Sequence, residues 1–197
     1  GLGTALRKVA VRSEALEVRD GRTGRTLVHE PMGENWQERF GAPYFTVHRA
    51  DLHGVLAAQL PPERLHLGRR LLRAEDDGTT VTLRFPHGGT AEADVVVGAD
   101  GVHSVLRAAL AGADRSVFSG TSAYRGLVPA ARLGVPTDSL LVWTGAGSRV
   151  LAYPVRGGRY LTFVAMTPDP DRRTESWSTR ADPVVLRRHF AGWHDDV

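Results

Sequence analysis

The stretch ADVVVGADGVHSVLR, Ala93–Arg107, decides the fold class. Val95–Ala99 is a run of small or apolar residues with no polar alternation, which is typical of a parallel strand buried on both faces of an α/β sheet. The run ends on Asp100 and Gly101, and a helix is predicted from an N-cap at Ser104. Because ligands of such sheets bind beyond the carboxyl ends of the strands, this turn is a candidate ligand site.

The turn at Asp100 and Gly101 has two interpretations. In a ligand site, the carboxylate would accept hydrogen bonds from ribose or ribityl hydroxyls, and the glycine would let a cofactor backbone come close. The helix that follows would then offer free N–H groups to a phosphate. In a purely structural turn, Asp100 would instead cap that helix. The residues alone leave both interpretations open.

Composition narrows the classes of function. A chain of 197 residues suits one domain, or one domain and part of another. It has no cysteine, which fits a reducing cytoplasmic setting and excludes thiolate catalysis and Cys-ligated zinc. The net charge of +3 is spread along the chain rather than concentrated in a patch, so we expect no nucleic-acid role. No apolar run reaches the roughly 18 residues of a membrane span, and no H-E-x-x-H spacing predicts a metal site.

Hydrophobic periodicity and turn residues predict a mixed chain, with βα-type structure first and a mostly antiparallel sheet in the last third. Residues 1–11 are predicted to be the end of a helix that leads into a strand. Further helices are predicted at 48–60, 104–110 and 182–193, and residues 31–43 are predicted to be a loop. The predicted strands are a hairpin at 15–30, a short strand at 64–67, hairpins within 69–99, and four runs at 123–133, 139–145, 148–158 and 159–167.

A second stretch, HRADLHGVL, places Arg49 at the start of a predicted helix. A cation there opposes the helix dipole at a cost of roughly 0.3–1 kcal/mol, which a bound anion would offset; a solvated surface arginine is the alternative. GADGVHSVLR contains D-G-x-x-S-x-x-R. Together the two stretches resemble class A FAD-dependent aromatic-ring monooxygenases of the p-hydroxybenzoate hydroxylase fold family. GTSAYRGLVPA, WTG and AYPVRGG resemble substrate-domain strands of its salicylate hydroxylase-like branch.

The resemblance implies a set of cofactor-binding residues. Arg49 would contact the FAD, and Asp100 with Gly101 would help to hold it near the approach of NAD(P)H. Arg107 would brace the turn or meet a phosphate, and the backbone at Leu71 would meet the adenine. FAD would do the oxidative chemistry while the protein binds, orients and dries the site.

The resemblance also implies a substrate residue and a domain division. Tyr124 would lie on the substrate side of the flavin and hydrogen-bond a small aromatic substrate, although an ordinary core tyrosine is an equal alternative; Arg125 beside it would be structural. Residues 1–112 would form a partial Rossmann-like FAD-binding domain with a hairpin excursion at 13–43. Residues 113–197 would form the largely antiparallel substrate sheet and its closing helix. The expected fold class is therefore α/β with mixed α+β character.

Two family segments are absent from the sequence. GLGTAL, Gly1–Leu6, lacks the preceding strand and the third glycine of G-x-G-x-x-G, and no carboxy-terminal G-D-x-x-H-x-x-x-P follows. We therefore expect the middle of such an enzyme, inactive alone, with a sheet edge that another chain or missing segments would cover. Three alternatives remain: a noncatalytic fragment or partner-bound module of flavoprotein ancestry, a related halogenase or epoxidase, and an unrelated α+β domain.

Overall fold

The computed structural model describes residues 1–112, 117–170 and 180–197. The chain divides into two compact units, one comprising residues 1–59 with 119–197 and the other residues 60–118. The helices are α1 (Leu2–Val9), α2 (Gly33–Phe40), α3 (Arg49–Ala57), α4 (Val105–Ala111) and α5 (Pro183–His189).

The strands form three sheets, with orders β1-β4, β3-β2-β9-β10-β11-β8 and β5-β6-β7. Within the six-stranded sheet, β2 runs parallel to β9 and the other neighbours are antiparallel. The strands are β1 (Val11–Arg12), β2 (Ala15–Asp20), β3 (Thr26–Pro31), β4 (Phe45–Thr46), β5 (Arg73–Asp76), β6 (Val81–Arg84), β7 (Thr90–Ala93), β8 (Thr121–Pro129), β9 (Ser139–Gly145), β10 (Ser148–Val155) and β11 (Tyr160–Pro168).

The hydrophobic core lies on one face of the six-stranded sheet. Leu141, Trp143 and Leu161 are at most 1% exposed there, and Leu186 and Phe190, from α5 and the residue after it, pack against them. A cavity of about 330 Å³ lies within this packing, lined mainly by core residues themselves. This arrangement confirms the predicted α/β class with four antiparallel strands in the last third, and the predicted closing helix.

The buried strand predicted over Val95–Ala99 is wrong for this structure. β7 ends at Ala93 and the residues after it are irregular. Val95 and Val97 are 78% and 84% exposed. A parallel strand needs neighbours that pair with its backbone, and none of the strands in the described residues pairs with this run.

Two shorter predictions are also wrong. Residues 31–43, predicted as a loop, contain helix α2; Trp36 and Phe40, one turn apart, stack at 4.4 Å between ring centroids. Gly41 ends this helix at φ 74°, the left-handed conformation that favours glycine. Residues 64–67, predicted as a strand, begin at the last residue of a 3₁₀ turn, Pro62–Arg64, and form no strand. Leu67 is 80% exposed there, so apolar content alone was misleading.

The compact units do not coincide with the predicted division at residue 112. The predicted 13–43 excursion contains β2 and β3, and β2 pairs with β9, so this hairpin extends the carboxy-terminal sheet. Residues 60–118 separate from the amino-terminal 59 residues as a unit of their own. The compact units do not reveal which ligand each one binds. The division into a cofactor domain and a substrate domain therefore stays a prediction.

Candidate cofactor and substrate site

The turn before α4 is built around Asp100. Its Oδ1 accepts a hydrogen bond from the Ser104 hydroxyl at 2.5 Å, and its Oδ2 accepts one from the Val105 N–H at 2.7 Å. The Ser104 hydroxyl in turn accepts from the Arg107 N–H at 2.9 Å, as its predicted N-cap role requires. These bonds, the Ser104 hydroxyl first, lower the pKa of Asp100 below its ordinary value. Asp100 therefore caps α4 as a carboxylate.

This capping changes what the α4 turn can offer to a ligand. The free N–H groups expected for a phosphate are not free, because Asp100 and Ser104 accept from the first ones. Gly101 has φ 82° and open space around its missing Cβ, so the turn conformation itself favours glycine. The Arg107 guanidinium donates to the Val102 carbonyl at 2.5 Å, which braces the turn. The exposed Asp100 carboxylate still has unused lone pairs for a ligand hydroxyl.

Helix α3, unlike α4, has no side-chain cap at its start. Arg49 is exposed, and its guanidinium has no hydrogen-bond or ion-pair partner in the part of the chain that the structure describes. The N-cap residue, His48, makes no side-chain capping bond. The helix therefore begins with an unpaired cation and no side-chain cap, an arrangement that suits an anionic ligand.

Leu71 lies in irregular chain just before β5 and is half-buried. The next residue, Leu72, donates its N–H to the Arg84 carbonyl at 2.9 Å, which ties this segment to β6. No backbone hydrogen bond of Leu71 itself is formed with the described residues. Its backbone groups are thus available to a ligand, as the adenine prediction requires. Leu71 and Asp100 belong to one compact unit, and Arg49 and Tyr124 belong to the other.

Tyr124 lies on the core face of the six-stranded sheet. It pairs with Ala165 of β11 and packs against the hydrophobic core, the position of an ordinary core tyrosine. Its neighbour Arg125 is exposed, on the opposite face. That opposite face also carries the half-buried side chains of Tyr153 and Thr162, which are cross-strand partners. Tyr153 lies within the sequence motif AYPVRGG, but its face is set by the pairing of β10 with β11, which the sequence alone does not give.

Two kinds of comparison place the chain among known proteins. No family model matches it. The chain is 41% identical over 199 residues to 3-amino-4-hydroxybenzoate 2-monooxygenase PtnB3 of Streptomyces platensis, covering 100% of the chain and 50% of that protein. It is 35% identical to 6-hydroxynicotinate 3-monooxygenase of Bordetella bronchiseptica, covering 91% of the chain and 48% of that protein. The chain is a homologue of FAD-dependent aromatic-ring monooxygenases over about half of their length.

Solved structures of this monooxygenase family agree in fold. Klebsiella pneumoniae HpxO complexed with FAD and uric acid superposes with a TM-score of 0.85 at 29% identity, covering 98% of the chain and 49% of that protein. A salicylate hydroxylase substrate complex superposes with a TM-score of 0.75 at 26% identity, covering 98% of the chain and 52% of that protein. The predicted family resemblance is therefore confirmed. The chain spans about half the length of the curated relatives it matches.

Two further observations concern membranes and metals. No helix within the described residues combines the length and the apolar character that crossing a bilayer requires. The same residues contain no group of three or more His, Asp or Glu side chains placed to hold a metal ion.

Proposed function

We propose that this chain serves an FAD-dependent monooxygenase that hydroxylates a small aromatic substrate with NAD(P)H and O₂. The observation that carries the proposal is the Arg49 guanidinium at the start of α3, which has no partner among the described residues and no side-chain cap beside it. It occurs in a chain whose fold superposes on an FAD complex with a TM-score of 0.85. The activities of the related monooxygenases, which act on amino- and hydroxybenzoates and hydroxynicotinate, support an aromatic acid as the substrate class.

Taken one at a time, the proposed residues have the chemistry that an FAD requires. Arg49 would bind its anionic part, because an unpaired guanidinium gains a charge-assisted hydrogen bond there. Asp100 would accept from a ribityl or ribose hydroxyl while it continues to cap α4, and Gly101 and Arg107 would hold the turn in shape. The Leu71 backbone would meet the adenine. When bound, FAD supplies the redox chemistry that activates O₂, and the protein orients and dries the reacting groups.

The substrate residue is proposed from the two faces of the six-stranded sheet. The core face is lined by apolar side chains and covered by α5, so that the cavity of about 330 Å³ there is mainly apolar, whereas the face of Tyr153 and Thr162 leaves Leu127 40% exposed. A polar aromatic substrate therefore fits better against Tyr153 than against Tyr124. Replacing each tyrosine by phenylalanine separates the two: a Tyr153→Phe variant that loses substrate affinity supports the open face, and a loss confined to Tyr124→Phe supports the original assignment.

The proposal extends to the domain division, the cellular compartment and the partners of the chain. We propose a cofactor part over residues 1–112 and a substrate part over 113–197, in the cytoplasm, as the cysteine-free composition favours. Another chain or further segments would cover the exposed edge strand β3. The alternative is a noncatalytic or partner-bound module of flavoprotein ancestry.

A flavin titration tests the proposal. Purified chain is titrated with FAD while flavin fluorescence is followed, and we expect saturable binding. Arg49→Ala should weaken it about 10-fold or more, the usual cost of losing a hydrogen bond to a charged group, and Asp100→Ala should weaken it as well. Arg22→Ala, which removes an exposed turn arginine, is the matched control and should leave binding unchanged. Equal loss in all three variants, or no binding by the unaltered chain, would contradict the proposal.

A further inference from the structure

An ion pair joins helix α3 to the end of strand β10. The Arg156 guanidinium donates from Nε to Oδ2 of Asp51 at 2.9 Å and from Nη2 to Oδ1 at 3.1 Å. The two side chains are 35% and 23% exposed, and the two residues are 105 positions apart in sequence. Such a two-point pairing fixes direction as well as distance. It therefore orients the first turn of α3 against the sheet.

A second contact ties the chain to β10 just before α3 begins. The Thr46 hydroxyl donates to the Pro154 carbonyl at 2.6 Å, and Thr46 is only 6% exposed. Arg49 lies three residues after this contact and two residues before Asp51. The residue proposed to bind FAD is thus held on both sides by links to one strand of the substrate sheet.

Helix α3 contacts helix α1, but apolar packing holds it only in part. None of its residues is buried, and Leu56 is 48% exposed, so the polar links carry more of the task of fixing its direction. Arg156 also has a left-handed backbone, with φ 54°. Non-glycine residues seldom adopt that conformation, and they keep it where the surrounding structure requires it. Here it accompanies a side chain that reaches Asp51.

We propose that Asp51 and Arg156 are positioning residues that hold Arg49 in its flavin-binding place relative to the substrate sheet. This inference rests on the proposed function, in which Arg49 contacts FAD. Asp51 and Arg156 themselves would contact neither FAD nor the substrate. The pair acts through α3 by setting where the guanidinium of Arg49 can meet the cofactor.

Flavin affinity and helix order test the proposal together. Asp51→Asn and Arg156→Gln each remove the ion pair, and the exchanged pair Asp51→Arg with Arg156→Asp restores it in reverse. Glu17→Gln is the matched control, because it breaks an ion pair with Arg19 at 2.6 Å in the same compact unit. We expect each single variant to weaken FAD binding about tenfold, because a displaced Arg49 would lose its own charge-assisted hydrogen bond to the cofactor, and the exchanged pair to recover it. The control should bind as the unaltered chain does.

A spin-label distance measurement, which needs no flavin, separates this inference from the proposed function. The cysteine-free chain accepts single labels at His53→Cys on α3 and Thr144→Cys on β9, both exposed. Asp51→Asn and Arg156→Gln should broaden the label-to-label distance distribution, and Glu17→Gln should not. An unchanged distribution would overturn the proposal, as would a broadened one with unchanged FAD affinity. Failure of the unaltered chain to bind FAD would refute the proposed function, and with it the flavin role of the pair, while a broadened distribution would still establish the tether.

Discussion

Gly126 of β8 lies directly opposite Phe163 of β11, and the phenylalanine ring occupies the space where a Cβ would stand. We expect Gly126→Ala to lower the free energy of unfolding by about 1–3 kcal/mol, because the ring must move within packed surroundings. Gly54 in α3 has no atom within 4 Å of its missing Cβ, so Gly54→Ala should instead raise it by about 0.5–1 kcal/mol. Urea denaturation of both variants measures the difference. Two changes of the same sign would contradict this account.

Asp77, in the turn between β5 and β6, shows how neighbouring hydrogen-bond donors lower the pKa of a carboxyl group. Its Oδ1 accepts from the Thr79 hydroxyl at 2.6 Å and from the N–H groups of Thr79 and Thr80 at 2.9 Å. These bonds lower the pKa of Asp77 from 3.8 to about 2. Because the folded value lies below the unfolded one, the turn's contribution to stability is complete above pH of about 3.9 and is lost as the pH falls through about 2.

Carboxyl NMR titration checks this prediction with a matched pair of variants. Thr79→Ala removes the hydroxyl donor and should raise the pKa of Asp77 toward its ordinary value. Thr80→Ala keeps the backbone N–H that Asp77 uses, so the midpoint should stay near that of the unaltered chain. A similar rise in both variants would mean that the hydroxyl is not the main cause.

Helices and strands whose ends are marked by turn or cap residues were predictable from the sequence. The β2–β3 hairpin, the run from β8 to β11 and helix α5 are bounded by Gly, Pro or Asp residues whose backbone preferences act within a few residues. The parallel pairing of β2 with β9 was not predictable, because it joins residues 15–20 to 139–144 and no local signal spans that distance. Helix α2 was missed because its two bounding glycines look like loop residues.

The strand predicted over Val95–Ala99 was wrong for a different reason. Its composition is that of a doubly buried parallel strand, but burial depends on neighbouring strands, and its own residues cannot supply them. We therefore expect Val97→Ala, at 84% exposure, to change the free energy of unfolding by less than about 0.5 kcal/mol. Val155→Ala, at 0% exposure, should cost about 2 kcal/mol. Chemical denaturation of the two variants decides this, and equal costs would show that residues 95–99 are buried in solution.

At the scale of the whole molecule, two short motifs in the sequence were enough to identify the family. They did not reveal which hydrogen bonds and ion pairs the residues of these motifs form. For Asp100 the sequence left two roles open, a ligand acceptor before a helix with free N–H groups or a cap of that helix, and in the structure it caps the helix. For Arg49 the sequence left open an anion contact or a solvated surface position, and a guanidinium without a partner among the described residues is compatible with either. The link from Asp51 to Arg156 could not be predicted, because only the fold brings together residues 105 positions apart.

The two compact units should differ in local stability. β10 and β11 each pair with a strand on both sides, and Leu161 and Val155 there are at most 1% exposed, so their amides open only with the sheet. In the other unit, residues 60–72 and 94–103 form no strand or α-helix, and Leu67 and Val97 are at least 80% exposed. We expect hydrogen exchange followed by mass spectrometry to be slowest in β10 and β11 and fastest in those two irregular segments. Strong protection of 94–103 would contradict this, because it would require these backbone amides to donate to acceptors absent from the described residues, as they would within a parallel sheet.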